Sequence, residues 1–254
     1  MTHHAPEELG RYERDGFVIF RNVLDAGLIA QVSEHVAWLQ QRHPELRGED
    51  LGHELVARDP FWVRLVSDDR LLDIAEPFIG PDIALFASHY ICKPPYSGRP
   101  VLWHQDGAYW PLEPMQVVTL WLAIDDSTPE NGCLRVLPGS HREHLHELRE
   151  RQDVDSVLGS ESAADVDESL AVDLTLSAGD VEVHHPNIIH GSNANTSPKR
   201  RCGLTIRYIP TSTRITSREQ PFPSALLLRG KPGVNVYQPR PEPTPGQDSD
   251  PKSQ

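Results

Sequence analysis

Three residues of the chain carry side chains that bind divalent metals, and the fold would have to bring them together. His104 and Asp106 stand two positions apart in WHQDGAYW, surrounded by large aromatic residues. Much later, VEVHHPNIIHGSNAN offers a further imidazole, His190. Two histidines and one carboxylate at three corners of a cavity form the facial triad of non-heme Fe(II) oxygenases, which leaves coordination positions open for other ligands. The residue types therefore predict a metal site that can also bind small molecules.

The local sequence suggests how the ligands would be presented. If VLWHQDG forms a strand, His104 and Asp106 project from the same face, because side chains at i and i+2 do so. The residues alone leave three alternatives for the third ligand, because His184 and His185 precede His190 and compete with it.

The elements that must position these residues are predicted to be helices first and strands later. A β-rich run, YERDGFVIF, precedes a segment whose apolar residues share one helix face: Leu28, Ile29, Val32, Val36 and Leu39. A second helical stretch, DPFWVRLVSDDRLLDIAEPFIG, ends at Gly80. From about residue 83 onward, short β-rich runs are bounded by Pro, Gly, Asn or Asp: IALFASHYICK, VVTLWLAID, CLRVLPGS, LAVDLTLSAGDVEVHH and RCGLTIRYIP. Strands at that spacing favour an antiparallel barrel or double-sheet sandwich.

Domain organisation follows from two polar segments. Residues 142–169 are polar and acidic, so we expect a long excursion with some helix, inserted between barrel strands as a lid. The tail, 238–254, has the Pro-rich polar composition of disorder. We therefore predict a single domain over residues 1–237.

Composition excludes several classes of partner. A formal net charge of −13 argues against nucleic-acid and anionic-membrane binding, since both recruit Lys and Arg. Three widely spaced cysteines disfavour a disulfide framework and a structural zinc knuckle, and they fit a reducing compartment. Neither a signal-peptide apolar region nor a membrane-spanning stretch is present in the sequence. We expect a cytoplasmic protein, monomeric or homodimeric, with a small-molecule ligand.

The quoted segments, together with RDGFVIFRNVL, ICKPPYSG and PENGCLRVLPGSH, occur in an order that resembles the phytanoyl-CoA dioxygenase family of Fe(II)/2-oxoglutarate oxygenases. The resemblance runs from about Tyr12 to Pro210. It implies a mainly β protein with flanking helices, built on a double-stranded β-helix, which is a jelly-roll, cupin-like barrel. It also implies Fe(II), 2-oxoglutarate and O₂ as cofactor and co-substrates.

The resemblance also implies roles for individual residues. His104, Asp106 and His190 match the iron ligands, and His190 matches the histidine of the family's HGS motif. His185 then becomes a supporting or turn residue. The eleventh residue after His190, Arg201, matches the arginine that grips the distant carboxylate of 2-oxoglutarate, as a planar guanidinium does well.

Further residues are assigned by their place beside these positions. In relatives the region of Thr119 and Trp121 lines the 2-oxoglutarate pocket, where Thr119 would donate a hydroxyl to the same carboxylate. Candidate substrate contacts are Lys93, Tyr109, Trp110 and Arg207. Each has a structural alternative: the aromatic residues could fill the barrel, Lys93 could pair with a carboxylate, and Arg207 could form an ion pair.

The predicted function is hydroxylation of an aliphatic carbon of a small metabolite, with release of succinate and CO₂. Family halogenases lack the aspartate, so the presence of Asp106 favours hydroxylation. Two alternatives come from other classes: a cupin-like metal-dependent hydrolase or isomerase, and a non-catalytic small-molecule binding protein of the same fold.

Overall fold

A computed structural model describes residues 5–57, 59–217, 219 and 224–241. The α-helices of this part are α1 (Ala5–Asp15), α2 (Ala26–Arg42), α3 (His53–Val56), α4 (Pro60–Val66) and α5 (Asp69–Ile79). Its strands are β1 (Phe17–Phe20), β2 (Ile83–Lys93), β3 (Val101–His104), β4 (Leu112–Glu113), β5 (Val118–Ala123), β6 (Leu134–Val136), β7 (Leu148–Glu150), β8 (Ser160–Ser162), β9 (Val172–Leu174), β10 (Val181–His184), β11 (His190–Ser192), β12 (Arg201–Pro210), β13 (Arg214–Ile215) and β14 (Leu226–Arg229).

Two antiparallel sheets form the barrel. The larger has the order β1-β10-β5-β12-β2-β14, and the smaller has the order β3-β11-β6-β9. Strands distant in sequence are neighbours in both sheets, as in a jelly roll. The predicted double-stranded β-helix is therefore confirmed.

The larger sheet is buried on both faces because helices cover one of them. Alternate residues of β12, such as Leu204 and Ile206, join the core formed with α2, α4 and α5. The intervening residues Arg201, Thr205 and Arg207 line a cavity inside the barrel. Every residue of β12 is buried. A strand buried on both faces has few exposed polar positions to interrupt it, which is why the sequence predicted it as one continuous run. The strand alternation places its arginines in the interior.

The helical segments differ from the sequence prediction in three places, one of which is the short α3, which was not predicted. Tyr12 to Asp15, predicted as part of a strand, end α1, and the strand begins at Phe17. The second helical stretch is two helices, because the Asp68 side chain accepts a hydrogen bond from the Arg70 amide and caps a new helix there. Within the described residues, no helix has both the length and the apolar character needed to cross a bilayer.

The polar excursion contains a hairpin where some helix was expected. Strands β7 and β8 pair antiparallel, and the only helical turns of 142–169 are short 3₁₀ turns at its two ends. The Val157 amide donates to the Pro100 carbonyl, which fixes the hairpin tip to the entrance of β3. The segment therefore lies against the barrel.

At the C-terminal end, the predicted tail lies mostly outside the described residues. Its first residues, 238–241, pack on the protein: the Gln238 amide donates to Ala225, and the Arg240 guanidinium donates to the Leu227 and Leu228 carbonyls.

One cysteine pair departs from the composition argument. Cys92 and Cys202 lie opposite each other on β2 and β12 and are joined by a disulfide, whereas Cys133 is free and buried. Sequence spacing did not indicate the pair, because the barrel register alone brings residues so far apart in the chain together.

Candidate metal centre

The three predicted ligands meet at one end of the smaller sheet. His104 ends β3, and the antiparallel register places it opposite His190 at the start of β11, with ring centroids 4.1 Å apart. Asp106 is not on a strand, as the i, i+2 argument assumed, but begins a 3₁₀ turn. The turn still brings its Oδ1 within 3.4 Å of His104 Nε2 and 4.0 Å of His190 Nε2. These donor atoms all lie within 4.8 Å of one another.

Backbone contacts fix the orientation of both imidazoles. His104 Nδ1 lies 2.8 Å from the Leu102 carbonyl, and His190 Nδ1 lies 3.0 Å from the Ile188 carbonyl. Because a carbonyl can only accept, each Nδ1 carries the proton and each Nε2 presents a lone pair to the centre. Burial, followed by the neighbouring His104, holds the pKa of His190 well below its usual value. The donor set therefore suits a divalent cation.

The two oxygens of Asp106 have different surroundings. Oδ1 faces the imidazoles, whereas Oδ2 faces Thr119 Oγ1 at 3.5 Å, His184 Nε2 at 3.6 Å and Arg207 Nε at 3.7 Å. Burial alone would raise the pKa of Asp106, but the Arg207 guanidinium and the nearby histidines hold it well below the usual range. The carboxylate is thus ionised, with one oxygen free for a metal and the other surrounded by donors.

A buried pair behind Asp106 was not singled out from the sequence. His184 Nδ1 lies 2.7 Å from Glu182 Oε2, and both side chains are almost fully buried on β10. Burial lowers the pKa of His184, but Glu182 and Asp106 outweigh it and raise the pKa to about 9. The signal was present in VEVH, since a Glu and a His alternate there with Val181 and Val183, which pack toward the helices. His184 thus lies against the candidate metal ligand Asp106. His185, in contrast, accepts a hydrogen bond from the Asn187 amide in the following turn.

We expect this pair to hold Asp106 in its metal-binding orientation. Replacing both residues, Glu182→Leu with His184→Phe, avoids leaving one buried charge unpaired. Metal affinity should fall roughly 10- to 100-fold, as for other outer partners of ligands. Calorimetric titration with Ni(II) measures this, and His185→Phe is the neighbouring control. Equal affinities in the double variant and the wild type, at comparable melting temperatures, would show that the pair is only structural.

A second cluster, of buried basic side chains, lies along the same barrel interior. Lys93 on β2 stands opposite Arg201 on β12, and both donate to Ser192 Oγ, at 2.7 and 3.3 Å. Arg201 is 2% exposed, and its buried Nε has no hydrogen-bond partner in the part of the chain that the structure describes. Burial, followed by the Arg201 charge, lowers the pKa of Lys93 to about 5. This cluster has the chemistry of an anion site.

Trp121 forms one wall of this cluster. Its ring lies 5.3 Å from the Arg201 guanidinium carbon. A Cβ at Gly203 would overlap the indole, so only glycine leaves the space that the ring occupies. Ser192, which the sequence analysis did not select, sits two residues after His190, so the HGS segment serves both clusters.

The remaining predicted residues lie beside the metal ligands or Arg207, and not beside Arg201. Thr119 pairs with Arg207 in the strand register and contacts Asp106, not Arg201. The Tyr109 ring lies 5.9 Å from His104, and its hydroxyl is 2.6 Å from Ser160 Oγ of the hairpin. Trp110 is buried, with the Arg207 guanidinium 5.0 Å from its ring.

One cavity contacts both clusters. The metal triad, Arg201, Ser192 and Arg207 all line it, as does Leu158 from the 142–169 segment. Small molecules bound at the two clusters would therefore share one chamber.

Sequence comparison identifies the family. The model of the phytanoyl-CoA dioxygenase (PhyH) family matches residues 12–203. The chain belongs to this family. Among PhyH relatives, it is 28% identical to ectoine dioxygenase of Sphingopyxis alaskensis, over 92% of the chain and 87% of the relative. It is 30% identical to L-proline trans-4-hydroxylase of Streptomyces griseoviridis, over 78% of the chain and 84% of the relative.

Solved structures with the PhyH-like fold agree. The apo form of the non-heme monooxygenase ThoJ has a TM-score of 0.79 and 30% identity, over 92% of this chain and 88% of that one. EctD from S. alaskensis with bound Fe has a TM-score of 0.70 and 25% identity, over 94% and 89% of the two chains. The predicted family, fold and cofactor class are confirmed by these matches and by the His-Asp-His group.

Proposed function

We propose that this PhyH protein is an Fe(II)- and 2-oxoglutarate-dependent dioxygenase that hydroxylates an aliphatic carbon of a small metabolite, with release of succinate and CO₂. One observation carries the proposal: a single cavity is lined both by a triad of available metal donors and by Arg201, whose Nε has no hydrogen-bond partner among the described residues. The first suits iron, and the second suits the far carboxylate of a dicarboxylic co-substrate.

The residues at the two ends of the cavity would bind different groups, the metal at one end and the co-substrate carboxylate at the other. His104, Asp106 and His190 would hold the iron, which supplies O₂ activation when bound. Arg201, Ser192 and Lys93 would hold the distal carboxylate of 2-oxoglutarate, with Trp121 alongside. Because a carboxylate favours the charged form of a neighbouring amine, Lys93 would gain a proton as the co-substrate binds.

Arg201 also separates this proposal from its alternatives. A metal-dependent hydrolase or isomerase needs a metal and an acid or base, but it does not require an arginine for 2-oxoglutarate. A non-catalytic binding protein has no need for imidazoles held with their lone pairs toward one point.

Oxygen consumption tests the function directly. We expect O₂ uptake and succinate release that require both Fe(II) and 2-oxoglutarate, and that rise when a metabolite panel is added. Zn(II) should occupy the site and inhibit, since other divalent ions outcompete Fe(II) on affinity. Activity with Zn(II) and without 2-oxoglutarate would instead indicate the hydrolase.

The 142–169 segment has contacts that fit the predicted lid. Leu158 lines the cavity, and Ser160 bonds Tyr109 beside the metal triad. Lids of this kind close over substrates and exclude water. We propose that ligands in the cavity favour the docked hairpin.

Limited trypsin digestion measures the docking. Arg149 and Arg151 lie on or beside β7, and cutting there should slow severalfold when Ni(II) and 2-oxoglutarate are bound. Cutting at the exposed Arg42 at the end of α2, distant in sequence from the segment, provides the internal control. Identical hairpin cleavage with and without the ligands would leave the segment as a static insertion.

A further inference from the structure

We infer that Arg207 is a second anion site in the cavity, and that the metabolite this enzyme oxidises is a carboxylic acid whose carboxylate binds there. The inference rests on the proposed function and extends it to a substrate class. It starts from a buried arginine on the metal side of the barrel, separate from the cluster around Arg201.

The Arg207 guanidinium is held firmly but only along one edge. Arg207 is 8% exposed and lines the cavity. Within the described part of the chain, both of its hydrogen bonds come from Nη1, to His89 Nδ1 and Thr205 Oγ1, each at 3.0 Å. In the same part of the chain, its Nε faces the Asp106 carboxylate at 3.7 Å without a hydrogen bond, and Nη2 makes none. Nη2 is therefore available to a carboxylate that enters from the cavity.

The surroundings fix the guanidinium without neutralising it. His89 stays uncharged near pH 7, because burial followed by the Arg207 charge lowers its pKa to about 3. Trp110 provides a flat surface 5.0 Å away. A cation pre-oriented in this way loses little freedom on binding an anion.

The one carboxylate near Arg207 is needed elsewhere. Among the described residues, Asp106 is the acidic partner of Arg207, with Nε 3.7 Å from Oδ2. When Asp106 binds a dication, its negative charge is shared with the metal, and the guanidinium loses most of its counter-charge. A buried cation without a partner is strongly destabilised. An anion that arrives with the substrate would restore the balance.

The strand geometry assigns this anion to the substrate and not to the co-substrate. Arg207 lies six residues along β12 from Arg201, which is roughly 20 Å of strand. Arg207 pairs in register with Thr119, level with the metal ligands, whereas Arg201 pairs with Lys93. Each arginine therefore has its own end of the cavity, and the metal donors lie beside Arg207.

Matched pairs of compounds test the inference. The Fe(II) enzyme, saturated with 2-oxoglutarate, is given small carboxylic acids and their primary amides, together with neutral and cationic metabolites, and succinate release is measured. We expect acids to raise the rate, and amides of the same skeleton to have a KM at least about tenfold higher, since they lose a buried charge pair. This comparison needs no variant, so it stands even if a substitution prevents folding.

Variants then locate the preference. Arg207→Gln should raise the KM for the best acid at least about tenfold and bring acid and amide close together. Arg207→Lys should retain part of the preference, because it keeps the charge but loses the fork. Arg200→Gln is the matched control, since Arg200 binds Asp125 outside the cavity.

Several results would overturn the inference. These are amides equal to acids, stimulation only by neutral or cationic compounds, no stimulation by any acid, or an Arg207→Gln defect confined to the binding of the co-substrate. An enzyme that forms no succinate under any condition would instead refute the proposed function, so the two failures are distinguishable.

Discussion

Asp106→Asn is expected to abolish 2-oxoglutarate turnover and to lower metal affinity by more than the roughly 10- to 100-fold loss caused by removing an outer partner of a ligand. The amide keeps the shape of the side chain, so no core cavity opens. It removes the negative charge that binds the metal and offsets Arg207 at 3.7 Å. An uncharged amide oxygen is a much weaker ligand than a carboxylate for a divalent cation.

Metal titration by calorimetry and succinate release together measure this loss. Asp165→Asn is the control, because that exposed aspartate lies in the 142–169 segment and is not among the metal-site residues. A folded Asp106→Asn protein with wild-type turnover would refute the triad. Loss of activity could also result if Arg207, left without its counter-charge, destabilised the fold. A lowered melting temperature of Asp106→Asn would identify that outcome.

The sequence predicted the metal centre better than it predicted the local structure around it. Strands β2 and β12 were found with their observed bounds, because long β-rich runs between Pro or Gly and polar residues have few alternatives. His104 and Asp106 do lie close to each other and to His190, but the strand ends at His104 and Asp106 lies in a turn. A strand end depends on where its partner strand stops pairing, which the local sequence does not encode.

Contacts between distant strands were the hardest to foresee. Alternation in RCGLTIRYIP places Arg201 and Arg207 on one face, but it does not say which residue of another strand lies opposite each. Strand register supplies that information: it pairs Thr119 with Arg207 and Lys93 with Arg201. Thr119 was therefore expected at the wrong end of the cavity from the sequence, and the partnership of Lys93 with Ser192 was not expected at all. Interactions of this kind are set by the closed barrel and not by any one segment.

Arg201→Ala should raise the KM for 2-oxoglutarate at least about a hundredfold. The guanidinium is fully buried, and the substitution would leave a buried carboxylate without its partner, a loss of roughly 3–5 kcal/mol, where each 1.4 kcal/mol corresponds to about tenfold in affinity. Lys93 and Ser192 remain, so some binding persists. Arg201→Lys should recover part of the affinity, since an ammonium keeps the charge but cannot form the fork.

Comparing substitutions at Arg200 and Arg201 tests which of the two side chains faces the barrel interior. Its guanidinium forms two hydrogen bonds to Asp125, at 2.8 and 2.9 Å, and a third to Ser33 on α2, so it points away from the cavity. Arg200→Ala should lower thermal stability and leave the KM for 2-oxoglutarate nearly unchanged. Steady-state succinate release over a range of 2-oxoglutarate concentrations separates the two variants. Sensitivity at Arg200 with indifference at Arg201 would mean that β12 is shifted by one residue, which would also turn Thr205 and Arg207 out of the cavity.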